Sequence, residues 1–167
     1  MAKEIKAEEF DYNVFKTIGK DWLLLTAAAG DKINAMTASW GGMGVMWNKN
    51  VAFLFLRPQR YTKELLDQTD GLTISVFDEQ YRKMMNYFGT ACGRDEDKIT
   101  KSGLTKFESD GRMFYGDARI TMFCKKLYAQ EMKPECFIDM ESKEKWYPEQ
   151  DYHTMYVVEI ERILINE

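Results

Sequence analysis

Ile33-Asn34-Ala35-Met36-Thr37-Ala38-Ser39-Trp40-Gly41-Gly42, the run Val51-Ala52-Phe53-Leu54-Phe55-Leu56, and Arg57-Pro58-Gln59-Arg60-Tyr61-Thr62 are the stretch on which the rest of the chain is built. The first part alternates as a strand does. Ala35, Ala38, Ser39, Gly41 and Gly42 keep it thin, so a flat molecule can approach the backbone closely. The apolar run has strand length and no alternation, the pattern of a strand buried on both faces. It ends abruptly, because Pro58 cannot donate to a ladder and holds Arg57 extended. From Tyr61 to about Thr69, through Lys63-Glu64-Leu65-Leu66-Asp67, the chain reads as a helix with Thr62 as its N-cap. A capped helix start flanked by two arginines is a ready anion site. A thin strand beside such a site suits a planar ring that carries a phosphate.

Upstream, Trp22 to Ala29 is a strand candidate apolar on both faces, and Gly30-Asp31 turns it into Ile33 to Trp40 as its antiparallel neighbour. Residues before Tyr12 are mostly polar and read as a short helix or an arm. Gly41-Gly42-Met43-Gly44 lacks the spacing of a dinucleotide loop and reads as a bend or bulge. Trp47-Asn48-Lys49-Asn50 then turns into the Val51 to Arg57 strand.

Downstream, Leu72 to Phe77 alternates as a strand, and Glu79 to Phe88 sets Tyr81, Met84, Met85 and Phe88 on one helical face. Gly89 to Lys98 is a polar loop punctuated by glycine, with Cys92 as an inert, partly buried thiol. Gly116 to Tyr128 is a long strand with Ala118, Ile120, Met122 and Cys124 on the packed side and Arg119, Thr121 and Lys125 opposite. Pro134 to Met140 reads as a short helix with Cys136, Phe137 and Met140 inward, and Lys143-Glu144-Lys145 as surface charge. Thr154 to Asn166 closes the chain as a strand with Tyr156, Val158 and Ile160 on one face. Antiparallel strands with few helices between them indicate a mainly β fold, a closed or partly closed barrel decorated by short helices.

With 167 residues, positions 1–167 are read as one domain with a sizeable core. A net charge of −4 offers no basic excess to neutralise nucleic acid. The three cysteines show no paired spacing, the N-terminus lacks an apolar signal core, and no run approaches transmembrane length. A soluble cytoplasmic protein with reduced thiols and no membrane partner is the consistent expectation. His153 is the one histidine and has no GxSxG elbow, and no Cys/His spacing fits a metal. Hydrolysis and phosphoryl transfer therefore lack machinery. Such poverty fits a chain whose cofactor carries the chemistry.

Asn34-x-Met36-Thr37-Ala38-Ser39-Trp40 followed by Arg57-Pro58-x-Arg60-Tyr61-Thr62 resembles the flavin reductase-like family, whose fold is the FMN-binding split barrel. Gly93-Arg94-Asp95-x-Asp97-Lys98 and Asp151-Tyr152-His153-Thr154 resemble it too, so the likeness runs from about Trp22 to Ile163. The resemblance implies an antiparallel split β-barrel and an FMN-dependent oxidoreductase that moves hydride from NADH or NADPH to flavin. A flavoredoxin-like electron carrier and a non-catalytic flavin-binding module are the alternatives. By the same resemblance, Asn34, Met36, Thr37, Ala38, Ser39 and Trp40 line the isoalloxazine and ribityl chain. Arg57, Arg60, Tyr61, Thr62, Arg94 and Lys98 gather around the phosphate, with Gly93 in the same loop, and His153 lies near the flavin or the nicotinamide as the candidate catalytic residue. The family likeness also implies a homodimer with FMN near the interface, and an oxygenase or other redox protein as partner. One feature departs from the pattern: Val157-Val158 stands where many relatives carry glycine, and those side chains would narrow the space beside the flavin.

Overall fold

The computed structural model describes residues 2–166; Met1 and Glu167, the two ends of the expected domain, lie outside the described residues. β1 (Lys3–Ile5) and a 3₁₀ turn at Ala7–Glu9 open the chain, so the arm expected before Tyr12 is in part a strand. Its one apolar residue explains this, because Ile5 packs on the main core while Lys3 and Glu4 stay outside. α1 (Val14–Lys16) runs into a π-helical turn at Thr17–Asp21. β2 (Leu23–Ala29) and β3 (Lys32–Ala38) then form the expected hairpin about Gly30-Asp31.

The glycine run corrects the sequence reading. It is not a bend but a strand, β4 (Gly41–Met46), paired from Gly41↔Leu54 to Met46↔Lys49 with β5 (Lys49–Leu56). Trp47 and Asn48, at φ 53° and 57°, make the two-residue turn that joins them. Ladder bonds to β5 hold most of this glycine-rich edge, with Met43 packed on the main core. At Gly41 (φ +153°) a Cβ would lie 2.4 Å from the Phe53 carbonyl oxygen, so only glycine lets the strands close there.

α2 (Tyr61–Leu66) is shorter than expected, and its N-cap is Arg60, not Thr62. Arg60 still has extended backbone angles, so the turn starts at Tyr61; Thr62 is buried and its Oγ1 accepts from Asn34 Nδ2 at 3.0 Å. β6 (Gly71–Val76), α3 (Arg82–Thr90) and α4 (Lys98–Ser102) follow, with Met85 and Phe88 of α3 inward as the periodicity predicts. β7 (Lys106–Ser109) and β8 (Arg112–Tyr115) form a separate hairpin about Asp110-Gly111, both at positive φ. β9 (Ile120–Glu131) is buried on both faces at its start, because Phe114 of β8 packs edge-on against Phe123 at 5.3 Å.

Pro134–Cys136 is a single 3₁₀ turn, and Cys136 and Met140 are exposed rather than inward. The helix comes later, as α5 (Met140–Trp146), in the stretch read as surface charge. Asp139 caps it by accepting from the Glu141 N–H at 3.2 Å. β10 (Thr154–Ile165) completes the chain.

Seven strands run β3-β2-β6-β9-β10-β5-β4 in one antiparallel sheet, and β1 pairs with the far half of β10. One face of that sheet curls onto a single core. Leu25, Met36, Leu54, Ile74, Met122 and Tyr156, from six different strands, meet there. Each fully buried side chain of this size contributes about 1.5–3 kcal/mol. β3 and β4, neighbours in sequence, stand at opposite ends of the strand order, so the fold is an antiparallel split barrel opened at Ala38–Gly41. α3, α4 and β8 cover part of the outer face, where Leu24, Phe88, Ile99 and Tyr115 form a second cluster.

Candidate functional site

The thin end of β3 leads out of the barrel at the split, and a furrow of two adjacent lobes lies beside it. One lobe, about 220 Å³, is walled by Met36, Thr37, Ala38, Ser39 and Trp40, with Phe55, Trp146 and His153 completing it. The other, about 280 Å³, is walled by Asn34, Tyr61, Gly93 and Lys98, with Gln59 and the end of α3 around it. Arg57 and Arg60 line both lobes, so they stand where the two meet.

Local forces set each wall. Thr37 Oγ1 donates to the Met85 carbonyl at 2.6 Å, which ties β3 to α3. Gly93 comes so close to β3 that a Cβ there would sit 2.1 Å from Asn34 Oδ1. Trp146 meets Trp40 edge to face with centroids 5.1 Å apart, and the His153 ring lies 5.2 Å from Trp40. The Tyr147 hydroxyl and His153 Nδ1 share a hydrogen bond of 2.7 Å, leaving Nε2 as the ring's remaining polar atom.

The cations differ sharply from one another. The Arg60 guanidinium donates to the carbonyls of Gly89 (2.9 Å) and Phe88 (3.1 Å). Lys98, 2% exposed, donates to Phe88 and Ala91 carbonyls at 3.0 Å each. Phe88 O therefore draws both cations to the C-terminal end of α3, whose open carbonyls and dipole offset part of their charge. Among the described residues, neither pairs with a carboxylate. Burial, and then the neighbouring Arg60 charge, push the Lys98 ammonium down to about 8. Burial lowers Arg60 too. Arg57, in contrast, is ion-paired to Asp151 at 2.7 Å. Burial, reinforced by the Arg57 charge, holds His153 near 4, so its imidazole is neutral at pH 7.

Of the residues singled out in the sequence, Asn34, Met36 to Trp40, Arg57, Arg60, Tyr61, Gly93, Lys98 and His153 border this furrow. Two do not. Arg94 turns outward onto Glu64 (2.7 Å) and over the Tyr61 ring, and Thr62 lies beneath Asn34. Val157 and Val158 are fully buried and line neither lobe, so the expected narrowing does not occur; Val158 points into the barrel core. Sequence reading missed Trp146, Phe55 and Gln59 as wall residues. For Trp146 a signal existed, since Asp139 opens a short helix that ends on it.

Among the described residues no group of three His, Cys, Asp or Glu side chains gathers to hold a metal ion, and no helix is long and apolar enough to cross a membrane. A family model described as a flavin reductase like domain matches residues 15–167. The chain belongs to that family. Its fold is shared by an FMN-binding domain of a flavin reductases-like enzyme from Shewanella baltica (TM-score 0.71, 15% identity, 99% of this chain and 77% of that one). The flavoredoxin of Desulfovibrio vulgaris is similar at TM-score 0.70 and 19% identity, covering 98% and 78% of the two chains. The NADH:FAD oxidoreductase of Streptomyces globisporus is similar at 0.66 and 14%, covering 87% and 75%. At such identities the likeness establishes the fold alone. No curated protein sequence matches the chain significantly.

Proposed function

We propose that this family member is a flavoprotein oxidoreductase that holds FMN in the two-lobed furrow and moves hydride from NADH or NADPH to flavin. The observation that carries the reading is the pair Arg60 and Lys98, a half-buried and a fully buried cation without a carboxylate at one end of an aromatic-walled furrow. A phosphate monoester carries about −1.5 to −2 charges, which these two cations match. The lobes, about 220 and 280 Å³, each approach the roughly 300 Å³ at which ligand pockets begin, and they share Arg57 and Arg60 as lining. Gly93, with no room for a Cβ, keeps the phosphate end open to backbone approach.

When bound, the flavin supplies the hydride-accepting ring position. The chain's own residues bind and orient. Met36 to Trp40 lie along one side of the ring lobe, and Trp146 and His153 close the other. Neutral His153 orients through a hydrogen bond and releases no proton at pH 7. Trp40 and Trp146 remain 39% and 44% exposed, which supports a homodimer whose second copy covers the ring. Three thiols without a disulfide partner accord with a reducing compartment such as the cytoplasm. An oxygenase or another redox protein would take the reduced flavin.

Anaerobic mixing of the FMN-loaded protein with NADH or NADPH tests the reaction. Rapid bleaching of the flavin absorbance supports a reductase. Bleaching only by a reduced iron–sulfur protein would make the chain an electron carrier instead.

A further inference from the structure

Arg57 and Arg60 stand three residues apart and look equivalent in sequence, yet their guanidinium groups have different work. Arg57 Nη1 pairs with Asp151 Oδ2 at 2.7 Å, Nη2 donates to the Trp146 carbonyl at 2.9 Å, and the group lies over the Tyr147 ring, 5.0 Å from its centroid. Gln59 Nε2 donates to the same Asp151 Oδ2 at 2.8 Å, so the carboxylate is held from two sides. All these contacts fall on residues 146–151, the segment that presents Trp146 to Trp40 and Tyr147 to His153. Only a planar fork can make two such bonds while stacking on a ring. A phosphate brought to this guanidinium would meet a charge already neutralised and a carboxylate of its own sign.

We infer that Arg57 is a positioning residue for the ring end of the furrow, clamping residues 146–151 so that Trp146 and His153 wall that lobe, while the phosphate falls to Arg60 and Lys98. The inference rests on the flavin reading above and divides its site into two chemically separate ends. FMN and riboflavin share the ring and differ in the phosphate, so they report on the two ends separately.

Wild type, Arg57→Ala, Arg57→Lys, Asp151→Ala and Arg60→Ala are titrated with FMN and with riboflavin. Near-ultraviolet circular dichroism of each flavin-free protein follows the Trp40–Trp146 contact. Arg57→Ala and Asp151→Ala should weaken both flavins by the same factor, about tenfold, and flatten the tryptophan signal. Arg57→Lys should not restore either. Arg60→Ala should weaken FMN about ten- to a hundredfold and leave riboflavin and the tryptophan signal unchanged. Asp151→Ala keeps the arginine in place, so the test stands even if Arg57→Ala does not fold. A loss confined to FMN in Arg57→Ala, or an unchanged tryptophan signal in both clamp variants, would overturn the inference. If wild type binds neither flavin, the flavin reading fails, and the tryptophan signal still decides the clamp.

Discussion

Two ionisable side chains at the furrow make it sensitive to pH in opposite directions. Lys98 titrates near 8 because burial and Arg60 disfavour its charge. A phosphate dianion beside it favours that charge again, so FMN binding takes up a proton. FMN affinity should therefore fall as pH rises through about 8, while riboflavin affinity stays level. Fluorescence titrations of both flavins from about pH 7 to about pH 9.5 check this, and parallel curves would count against Lys98. His153 acts on the fold. Its imidazole is held near 4 against an ordinary 6.5, so on acidification the unfolded chain takes the proton first. Stability present above pH 6.5 is lost as pH falls toward 4, by up to about 3 kcal/mol. Denaturant unfolding at several pH values should show this slope, and His153→Gln should flatten it.

At the scale of elements, the close approach of the 91–97 loop to β3 is the feature most exposed to a single methyl group. A Cβ at Gly93 would meet Asn34 Oδ1 at 2.1 Å, and Asn34 is itself bonded to Thr62. Gly93→Ala should cost about 1–3 kcal/mol of stability, and FMN affinity with it. Adding Asn34→Ala should cost less than the two single losses summed, because the clash goes with the side chain. Denaturant midpoints of the four proteins decide it. Much of this layout was legible. Continuous apolar runs located β2 and β5, and period-two and period-3.6 patterns located β3, β6, β9, β10 and α3, because apolar residues write burial directly into sequence. Where backbone pairing does most of the holding, the pattern is silent, and glycine-rich β4 read as a bend. The β7–β8 hairpin carried a readable signal in Asp110-Gly111, a turn pair between short strands. The site was legible in its residue types and not in their division of labour. Arg57 and Arg60 look alike because the groups that separate them, Trp146 and Asp151 against Phe88 and Gly89, are distant in sequence.

For the whole molecule, the split at Ala38–Gly41 makes the furrow possible and leaves one side of it open. Phe15, 88% exposed, lies near the same edge, where Ser39 and Trp40 border both the ring lobe and an adjoining hollow lined by Phe15 and Gly41. A second copy covering that side would bury the ring as ligand sites normally do. Sedimentation at micromolar concentration should return a dimer, and a monomer that retains its full complement of FMN would remove the shared site. The central claim is narrower: a phosphate-bearing flavin sits with its ring at Trp40 and its phosphate at Arg60 and Lys98. Side-by-side titration of the flavin-free protein with FMN and riboflavin tests it most directly. The account predicts that both bind and that FMN binds at least about tenfold more tightly, the worth of one charge-assisted hydrogen bond. Equal affinities, or binding of neither, would contradict it.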